Sequence, residues 1–240
     1  MKAKPLLSFK YRLRIFALCI SLIPITALTL THCFHSRNTR KHQILENLRA
    51  IAEAKKQHVL CSMEVIKSRT ADFSTDGLIR HYLKIHNRGR VLKKDLVRRL
   101  SNHLLKNKLP LDNYLEAIIV TNEHGVVVSS TQEEQQGKSI ADQNVFLQGT
   151  SMGYGQVYIG QPHNSSYFDT NRIYITAPIL FEHDSEILGV VINVYCFSIL
   201  NKITTNRIGM GETGEVYLVN KSKIMLTESR FIDKAPLKLV

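Results

Sequence analysis

Two short motifs in the second half of the chain have the spacing of known catalytic or cofactor sites. The first, Gly-Met-Gly-Glu-Thr-Gly at 209–214, matches the G-x-G-x-x-G spacing of dinucleotide-binding loops. Such a loop must follow a strand and open a helix, because the pyrophosphate binds at the helix N-terminus. Here a predicted helix (198–204) precedes the motif and a predicted strand (215–220) follows it. The order is reversed, so we expect no cofactor.

The second motif, Gly-Thr-Ser-Met-Gly at 149–153, has the G-x-S-x-G spacing of a hydrolase nucleophile, and Asp169 and His183 follow in triad order. That nucleophile needs a strand-to-helix turn in a parallel sheet. This segment lies instead between a short predicted helix and a predicted strand. The sequence therefore favours a glycine-rich loop in a protein that is not an enzyme. An anchored or secreted esterase-like enzyme using Ser151 stays open as an alternative.

The histidines and cysteines do not predict a metal site. His32 and His35 have ligand spacing, but no third ligand lies near them in the sequence. The four cysteines are too few and too scattered for a disulfide scaffold. They are Cys19, Cys33, Cys61 and Cys196. We expect no bound metal.

Charge is distributed unevenly along the chain, whose formal net charge is +12. Residues 1–110 contain 23 Lys and Arg against 6 Asp and Glu, whereas 111–240 contain 9 against 14. The basic stretch 88–99 has no aromatic interleaving and no nucleic-acid motif, so a solvated helix face is favoured over nucleic-acid binding. A basic nucleic-acid-binding protein is the weaker alternative.

Residues 13–34 are long and apolar enough to cross a membrane, with no charge between Ile15 and Thr31. Lys and Arg alone supply the charges that precede this run, which predicts a cytoplasmic N-terminus. The later residues would then be periplasmic or extracellular, and membrane lipid would be a partner. A cleaved signal peptide is the rival, but no A-x-A site follows the run.

Two different periodicities of apolar residues divide the sequence that follows the apolar run. Apolar residues recur at helical spacing from Ser36 to Thr75 without Gly or Pro, which predicts a long stalk helix; the spacing resumes at 92–104. From Leu115 the period becomes two, and predicted strands fall at 118–121, 126–130, 156–160, 172–180 and 188–197, with a helix at 142–148. This pattern is typical of an α+β fold with a five-stranded antiparallel sheet.

Alternation along the last three strands predicts one apolar and one polar face. The apolar face would collect Val157, Ile159, Ile173, Ile175, Ala177, Ile179, Val190, Ile192 and Val194. The polar face would form a small-molecule pocket, where an Arg guanidinium fits a carboxylate and predicts a small organic acid as ligand. The expected binding residues are Arg172, Tyr174, Tyr158, Asp169, Asn193 and Tyr195.

Five segments of the second half resemble the double Cache family of PAS-like extracytoplasmic sensors of bacterial membrane receptors. They are IIVTNEHGVVVSST (118–131), GKSIADQNVF (137–146), YFDTNRIYITAPI (167–179), ILGVVINV (187–194) and GMGETGEVYLVNKSKIMLTESRF (209–231). The chain departs from members that bind amino acids, because it has no Trp and Asn193 and Tyr195 stand where those members have Asp. This departure argues against an amino acid ligand.

The resemblance implies a receptor whose ligand shifts stalk helices and so controls a kinase, cyclase or chemotaxis output. It divides the chain into a cytoplasmic tail (1–12), a transmembrane helix (13–34), a basic helical stalk region (35–110), a membrane-distal PAS-like module (111–204) and the start of a membrane-proximal module (205–240). We therefore expect a truncated sensor without its output domain. A homodimer through the stalk helix is a further expectation.

Overall fold

The computed structural model describes residues 9–89, 93–160, 172–181, 186–221 and 223–232. Its first element is a single helix, α1 (Phe9–Ser74), of 66 residues. The chain divides into two compact units, Met1–Ala54 and Lys55–Val240.

In the first unit, α1 carries the one stretch within the described residues that is long and apolar enough to cross a membrane, with a mean hydropathy of 2.1 and none of it buried. The hydroxyls within this stretch donate to backbone carbonyls one turn earlier; Thr26 Oγ1, for example, lies 2.9 Å from the Leu22 oxygen. Such bonding satisfies polar groups without water. These features agree with the predicted membrane helix.

In the second unit, α1 ends where the sequence predicted a break. Asp76 caps α2 (Gly77–Asn87), and its Oδ1 accepts hydrogen bonds from the backbone nitrogens of Leu78 and Ile79. A third helix, α3 (Lys93–His103), continues into a π-helical turn (Leu104–Lys108) and a short 3-10 turn (Leu109–Leu111). The carboxylate of Asp76 also pairs with Lys108 Nζ at 2.5 Å, which ties the start of α2 to the end of this helical segment.

The five-stranded sheet follows, and every pairing in it is antiparallel. Its strands are β1 (Leu115–Thr121), β2 (Val127–Ser130), β3 (Tyr158–Gly160), β4 (Arg172–Leu180) and β5 (Ile187–Cys196), in the spatial order β2-β1-β5-β4-β3. Between β2 and β3 lies α4 (Asn144–Thr150), and after β5 comes α5 (Ser198–Thr205). The α+β fold and antiparallel sheet predicted from the sequence are confirmed.

Each face of the sheet is covered by helices and supports its own core. One core packs Ile66 and Phe73 of α1 and Leu83 of α2 against β4 and β5. The other packs Val145 and Phe146 of α4 against the opposite face. A sheet buried on both sides carries apolar residues on both faces. We call the first the α1 face and the second the α4 face.

The predicted assignment of side chains to the two faces is wrong for β5. Ile175 of β4 pairs with Asn193, and Tyr174 pairs with Val194. Directly paired residues in an antiparallel sheet point to the same face. The α1 face therefore takes Asn193 along with Ile175, and the α4 face takes Val194 along with Tyr174. Alternation tells which residues of one strand share a face, but only the pairing register tells which residues of two different strands share it.

The motifs at 149–153 and 209–214 do not have the structural context of catalytic or cofactor sites. Residues 209–214 form turns after α5, and within the described residues no helix follows them. Ser151 is the C-cap residue of α4, is exposed, and donates its hydroxyl to the Gln148 carbonyl at 2.8 Å. It lies on no strand-to-helix turn. The triad candidates Asp169 and His183 lie outside the described residues.

Candidate functional site

The structure separates the predicted binding residues into two groups. Tyr158 pairs with Thr176, so Tyr158, Tyr174 and Arg172 share the α4 face. Asn193 and Tyr195 lie on the α1 face and are fully buried. The prediction that all of them share one face is therefore wrong. Asp169 lies outside the described residues.

The two tyrosines of the α4 face lie beside the first turn of α4. The Tyr158 hydroxyl accepts a hydrogen bond from Asn144 Nδ2 at 3.1 Å, and the Tyr158 side chain is half-buried. The Tyr174 ring is buried in the same core as Val145 and Phe146. The Tyr158 hydroxyl is thus bonded to the Asn144 amide at the edge of the α4 face, whereas the Tyr174 ring belongs to the apolar core of that face.

Arg172 lies at the start of β4 and forms an ion pair with Glu116 of β1. The two side chains are 35% and 32% exposed, so the pair is accessible from solvent. Glu116 lies at an irregularity in the register, between Leu115 and Ala117. A bulge at this point re-aims a side chain, and sequence alternation could not have identified Glu116. The site therefore presents both a cation and an anion.

Gly149, in the last turn of α4, allows close packing of this helix on the sheet. A Cβ on Gly149 would lie 2.5 Å from Thr176 Oγ1 and 2.9 Å from a methyl group of Val190. Only glycine lets α4 approach the sheet this closely. The Thr176 hydroxyl is buried without a hydrogen-bond partner among the described residues. The α4 face is thus tightly packed around Thr176, whereas the partly exposed ion pair of Arg172 and Glu116 lies at the start of β4.

The polar residues of the α1 face join the sheet to the long helix. Asn193 Nδ2 donates to Thr70 Oγ1 of α1 at 3.0 Å, and both residues are fully buried. Asn193 Oδ1 and the Tyr195 hydroxyl have no hydrogen-bond partner among the described residues. Burial, with a smaller contribution from the Asp112 charge, raises the pKa of Tyr195 to about 12. This phenol therefore stays neutral, and it does not face the Arg172 group.

A second ion pair lies on the same side of the sheet as Tyr195. Arg69 of α1 binds Asp112, whose other oxygen accepts a hydrogen bond from the Tyr114 backbone at 2.9 Å. These residues form one end of an open groove of about 550 Å³ between α1 and the segment 110–114. The groove continues along α1 past Val65 to His58. Sequence analysis did not identify this surface, because its residues belong to three separate segments.

The described residues contain no group of three or more His, Cys, Asp or Glu side chains that could hold a metal ion. Arg172 and Glu116 can recognise opposite charges on one small molecule, and Tyr158 can orient it through its hydroxyl.

Comparison with known proteins shows a shared fold. No family model matches the chain, and no curated protein matches it. Among solved structures, the sensor domain of the Vibrio cholerae histidine kinase DctB is similar, with a TM-score of 0.56 and 12% identity over 78% of this chain and 67% of that one. The Campylobacter jejuni chemoreceptor Tlp3 sensory domain with isoleucine bound has the same score and identity over 78% and 71%.

The ligand-binding domain of the Pseudomonas aeruginosa PAO1 amino acid chemoreceptor PctC, in complex with GABA, aligns with a TM-score of 0.50 and 10% identity over 84% of this chain and 78% of that one. All three are sensor domains. The chain therefore shares the fold of these three domains, as its sequence resemblance led us to expect.

Proposed function

We propose that this chain is the ligand-sensing extracytoplasmic region of a membrane signal-transduction receptor, and that it binds rather than transforms a small molecule. One observation carries the proposal: the sheet module has the fold of bacterial sensor domains, and one of its core helices also carries the apolar stretch. A helix shared in this way lets a change at the sheet reach the membrane.

The proposed topology follows from the charges around the apolar stretch. Lys2, Lys4, Lys10, Arg12 and Arg14 precede it without an acidic residue. The positive-inside rule puts this end in the cytoplasm and the sheet module outside, at the plasma membrane. We keep the predicted division at 13–34 for the membrane helix, 35–110 for the stalk region, 111–204 for the distal module and 205–240 for the start of a second module.

We propose that the ligand binds at the Arg172 end of the α4 face. Arg172, Tyr158 and Tyr174 belong to this site, and Glu116 joins them. Asp169 lies outside the described residues, three residues before Arg172 in the sequence, and it stays a proposed ligand-binding residue on that ground alone. Asn193 and Tyr195 are assigned instead to the joint between β5 and α1 and are no longer proposed to touch the ligand.

The expected ligand is a small organic acid that also carries a hydrogen-bond donor. A guanidinium offers five N–H donors in a planar fork that matches a carboxylate. Arg172 uses its Nε on Glu116, so a bare carboxylate would be repelled by that neighbour. An ammonium or hydroxyl group on the ligand would satisfy Glu116 at the same time. The ligands of the similar structures, isoleucine and GABA, have this combination of groups.

A ligand screen on residues 36–240, prepared as a soluble protein, tests this site. Hydroxy acids, amino acids and dicarboxylic acids would be compared by thermal shift. A ligand at 100 times its dissociation constant should stabilise the fold by about 2.7 kcal/mol. Arg172→Lys keeps the charge but loses the planar fork, so we expect the affinity for a stabilising acid to fall about tenfold or more.

The matched control is Arg69→Lys, which makes the same change in the ion pair on the opposite face. Its affinity should equal that of the wild type. If Arg172→Lys folds normally and keeps full affinity while Arg69→Lys loses it, the ligand binds on the α1 side and the proposed site is wrong. If none of the acids shifts the melting temperature, the proposed ligand class is wrong.

A further inference from the structure

Positive charge is concentrated at the end of α2 and the start of α3. Residues 88–99 contain six Lys and Arg and one acidic residue, Asp95. Arg88, which caps the end of α2, is exposed, and so are Lys94, Arg98 and Arg99 of α3. Asp95 pairs with Arg98 Nη2 at 2.7 Å and with Arg99 Nε at 3.2 Å. One carboxylate thus neutralises only part of the charge on this surface.

The charge at the start of α3 does not stabilise the helix. The first turn of a helix carries the positive end of its dipole, so a cation there is unfavourable. Lys94 lies in this turn, and it precedes Arg98 by four residues, a spacing at which like charges repel. Lys94 has no ion-pair partner among the described residues. A local feature that the fold pays for in this way is typical of a functional surface.

The same helix forms one wall of a groove of about 610 Å³, and the segment that follows β2 forms the other wall. The wall on α3 carries Lys94, Arg98 and Asn102, which recur every four residues and so lie in one stripe. Glu133 and Gln136 lie on the facing wall and are exposed. We call this the α3 groove.

The wall on α3 is held in place by the packing of this helix on the fold. Leu96 and Leu100 are buried on its inner side. The hydroxyls of Ser101 and of Ser129 in β2 share a hydrogen bond of 2.8 Å, which joins the helix to the edge strand of the sheet. The stripe of polar side chains is therefore positioned before any partner binds.

The two walls of the α3 groove offer complementary chemistry. Lys94 and Arg98 are hydrogen-bond donors that bind carboxylate, sulfate or phosphate groups. Glu133 and Gln136 provide acceptor oxygens for hydroxyl groups. Leu105, which also lines the groove and is 38% exposed, adds apolar surface for C–H groups. A matching partner carries anionic groups, hydroxyl groups and C–H surface at close spacing.

We propose that the α3 groove binds an acidic polysaccharide, a chain of sugars that bear carboxylate groups. Its carboxylates bind Lys94 and Arg98, and its hydroxyls donate to Glu133 and Gln136. A polyphosphate has no hydroxyl donors along its chain and is repelled by Glu133. A nucleic acid presents bases that stack on aromatic side chains, and the described residues that line the groove include none.

The position of the α3 groove argues against lipid headgroups as the partner. His103, the last residue of α3, lies 3.5 Å from Asp76, which follows the end of α1. Between Lys55, where the second unit begins, and Ser74 the helix α1 is about 30 Å long. A partner in the groove therefore binds near the end of α1 that is remote from the apolar stretch. The proposal adds a binding partner to the sensing function and does not depend on the Arg172 site.

The experiment uses the full chain in a nonionic detergent and a fluorescently labelled alginate oligosaccharide, a polymer of uronic acids. Binding is measured by fluorescence polarisation at low and at physiological salt, because salt screens the attraction between exposed charges. Polyphosphate and single-stranded DNA of equal charge serve as competitors. We expect alginate to bind and each competitor to displace it at least about tenfold less well than unlabelled alginate does.

The variant Lys94→Gln with Arg98→Gln should weaken alginate binding about tenfold or more, because two charge-assisted contacts are lost. Its melting temperature should stay the same or rise, because two cations that repel each other are removed. Lys94→Gln alone breaks no ion pair and should still weaken binding about threefold. The matched control, Lys202→Gln with Lys221→Gln, removes the same charge from exposed lysines elsewhere and should bind alginate nearly as well as the wild type.

Three results would overturn the proposal. The first is that the wild type does not bind alginate at low salt. The second is an equal loss of affinity in the two double variants, which would mean that net charge alone attracts the polymer. The third is that polyphosphate or DNA competes as well as alginate, which would make the partner a different class of polyanion.

Discussion

The buried phenol on the α1 face supports a specific prediction about stability. The Tyr195 hydroxyl is buried close enough to the Asn193 and Thr70 side chains for both to lower its pKa slightly, but it forms no hydrogen bond of good geometry with a described residue. Burying an unbonded hydroxyl costs about 1–3 kcal/mol in proteins. Tyr195→Phe removes only this group and leaves the ring in place. We therefore expect the free energy of unfolding at pH 8 to stay the same or to rise by up to about 2 kcal/mol.

The same substitution should change the response to alkaline pH. The pKa of Tyr195 is raised from 10.0 to about 12, so between these values the unfolded chain has released the proton that the folded chain keeps. Stability then falls as the pH rises through this window. At pH 11 the loss amounts to about 1.4 kcal/mol for one unit. The Phe variant has no phenol and does not suffer this loss. The difference between its free energy of unfolding and that of the wild type should therefore increase by about 1.4 kcal/mol at pH 11.

Urea denaturation of residues 36–240 at pH 8 and pH 11 measures both effects. Tyr154→Phe, at an exposed tyrosine of a loop, is the control for loss of a hydroxyl outside the core. A loss of 1 kcal/mol or more for Tyr195→Phe at pH 8 would mean that the hydroxyl forms a stabilising hydrogen bond. In that case the reasoning about the α1 face would be refuted.

Two further predictions rest on single contacts, and a third rests on the apolar stretch of α1. Gly149→Ala should destabilise the fold by about 1–3 kcal/mol in thermal or urea unfolding, because its Cβ would lie 2.5 Å from the Thr176 hydroxyl of β4. Gly137→Ala is the control that separates crowding from backbone strain, because its Cβ would have no atom within 4 Å but its φ is positive. Burial tends to raise the pKa of Asp76, but Lys108 and the backbone N–H of Ile79 lower it below the usual carboxyl value of 3.8. Asp76→Asn should therefore lose stability at pH 7, and its difference from the wild type in free energy of unfolding should shrink as the pH falls below 3.8. A difference that stays constant over this pH range would contradict the prediction. The full chain should stay in the membrane fraction through carbonate washing, and release as a shorter soluble protein would instead establish a cleaved signal peptide.

The elements of the fold were predictable because each had a local signal. The loss of helical periodicity at Asp76-Gly77 marked the end of α1, where Asp76 accepts two backbone hydrogen bonds. The β-branched run 118–130 around Gly125 predicted the hairpin of β1 and β2. At Gly125 the backbone has a φ of 76° and a Cβ would lie 2.7 Å from Ala141, so glycine is required twice over.

The composition of the candidate site could not be predicted in the same way. Tyr174 and Asn193 each follow the alternation of their own strand, but the register that pairs Tyr174 with Val194 puts them on opposite faces. Because both faces are covered by helices and carry apolar residues, hydrophobicity did not reveal which residues of each strand point to which face. Glu116 reaches Arg172 from a bulge across β5, and sequence carries no sign of that contact.

Hydrogen–deuterium exchange with and without a saturating organic acid tests the central claim most directly. The experiment uses residues 36–240 and the acid that gives the largest thermal shift. Ligand at the Arg172 end of the α4 face should slow exchange in Asn144–Thr150, in Tyr158–Gly160 and at the start of β4. Slowed exchange confined to α1 and the segment 110–114 would place the ligand in the groove on the opposite side, and would contradict the proposed sensing site.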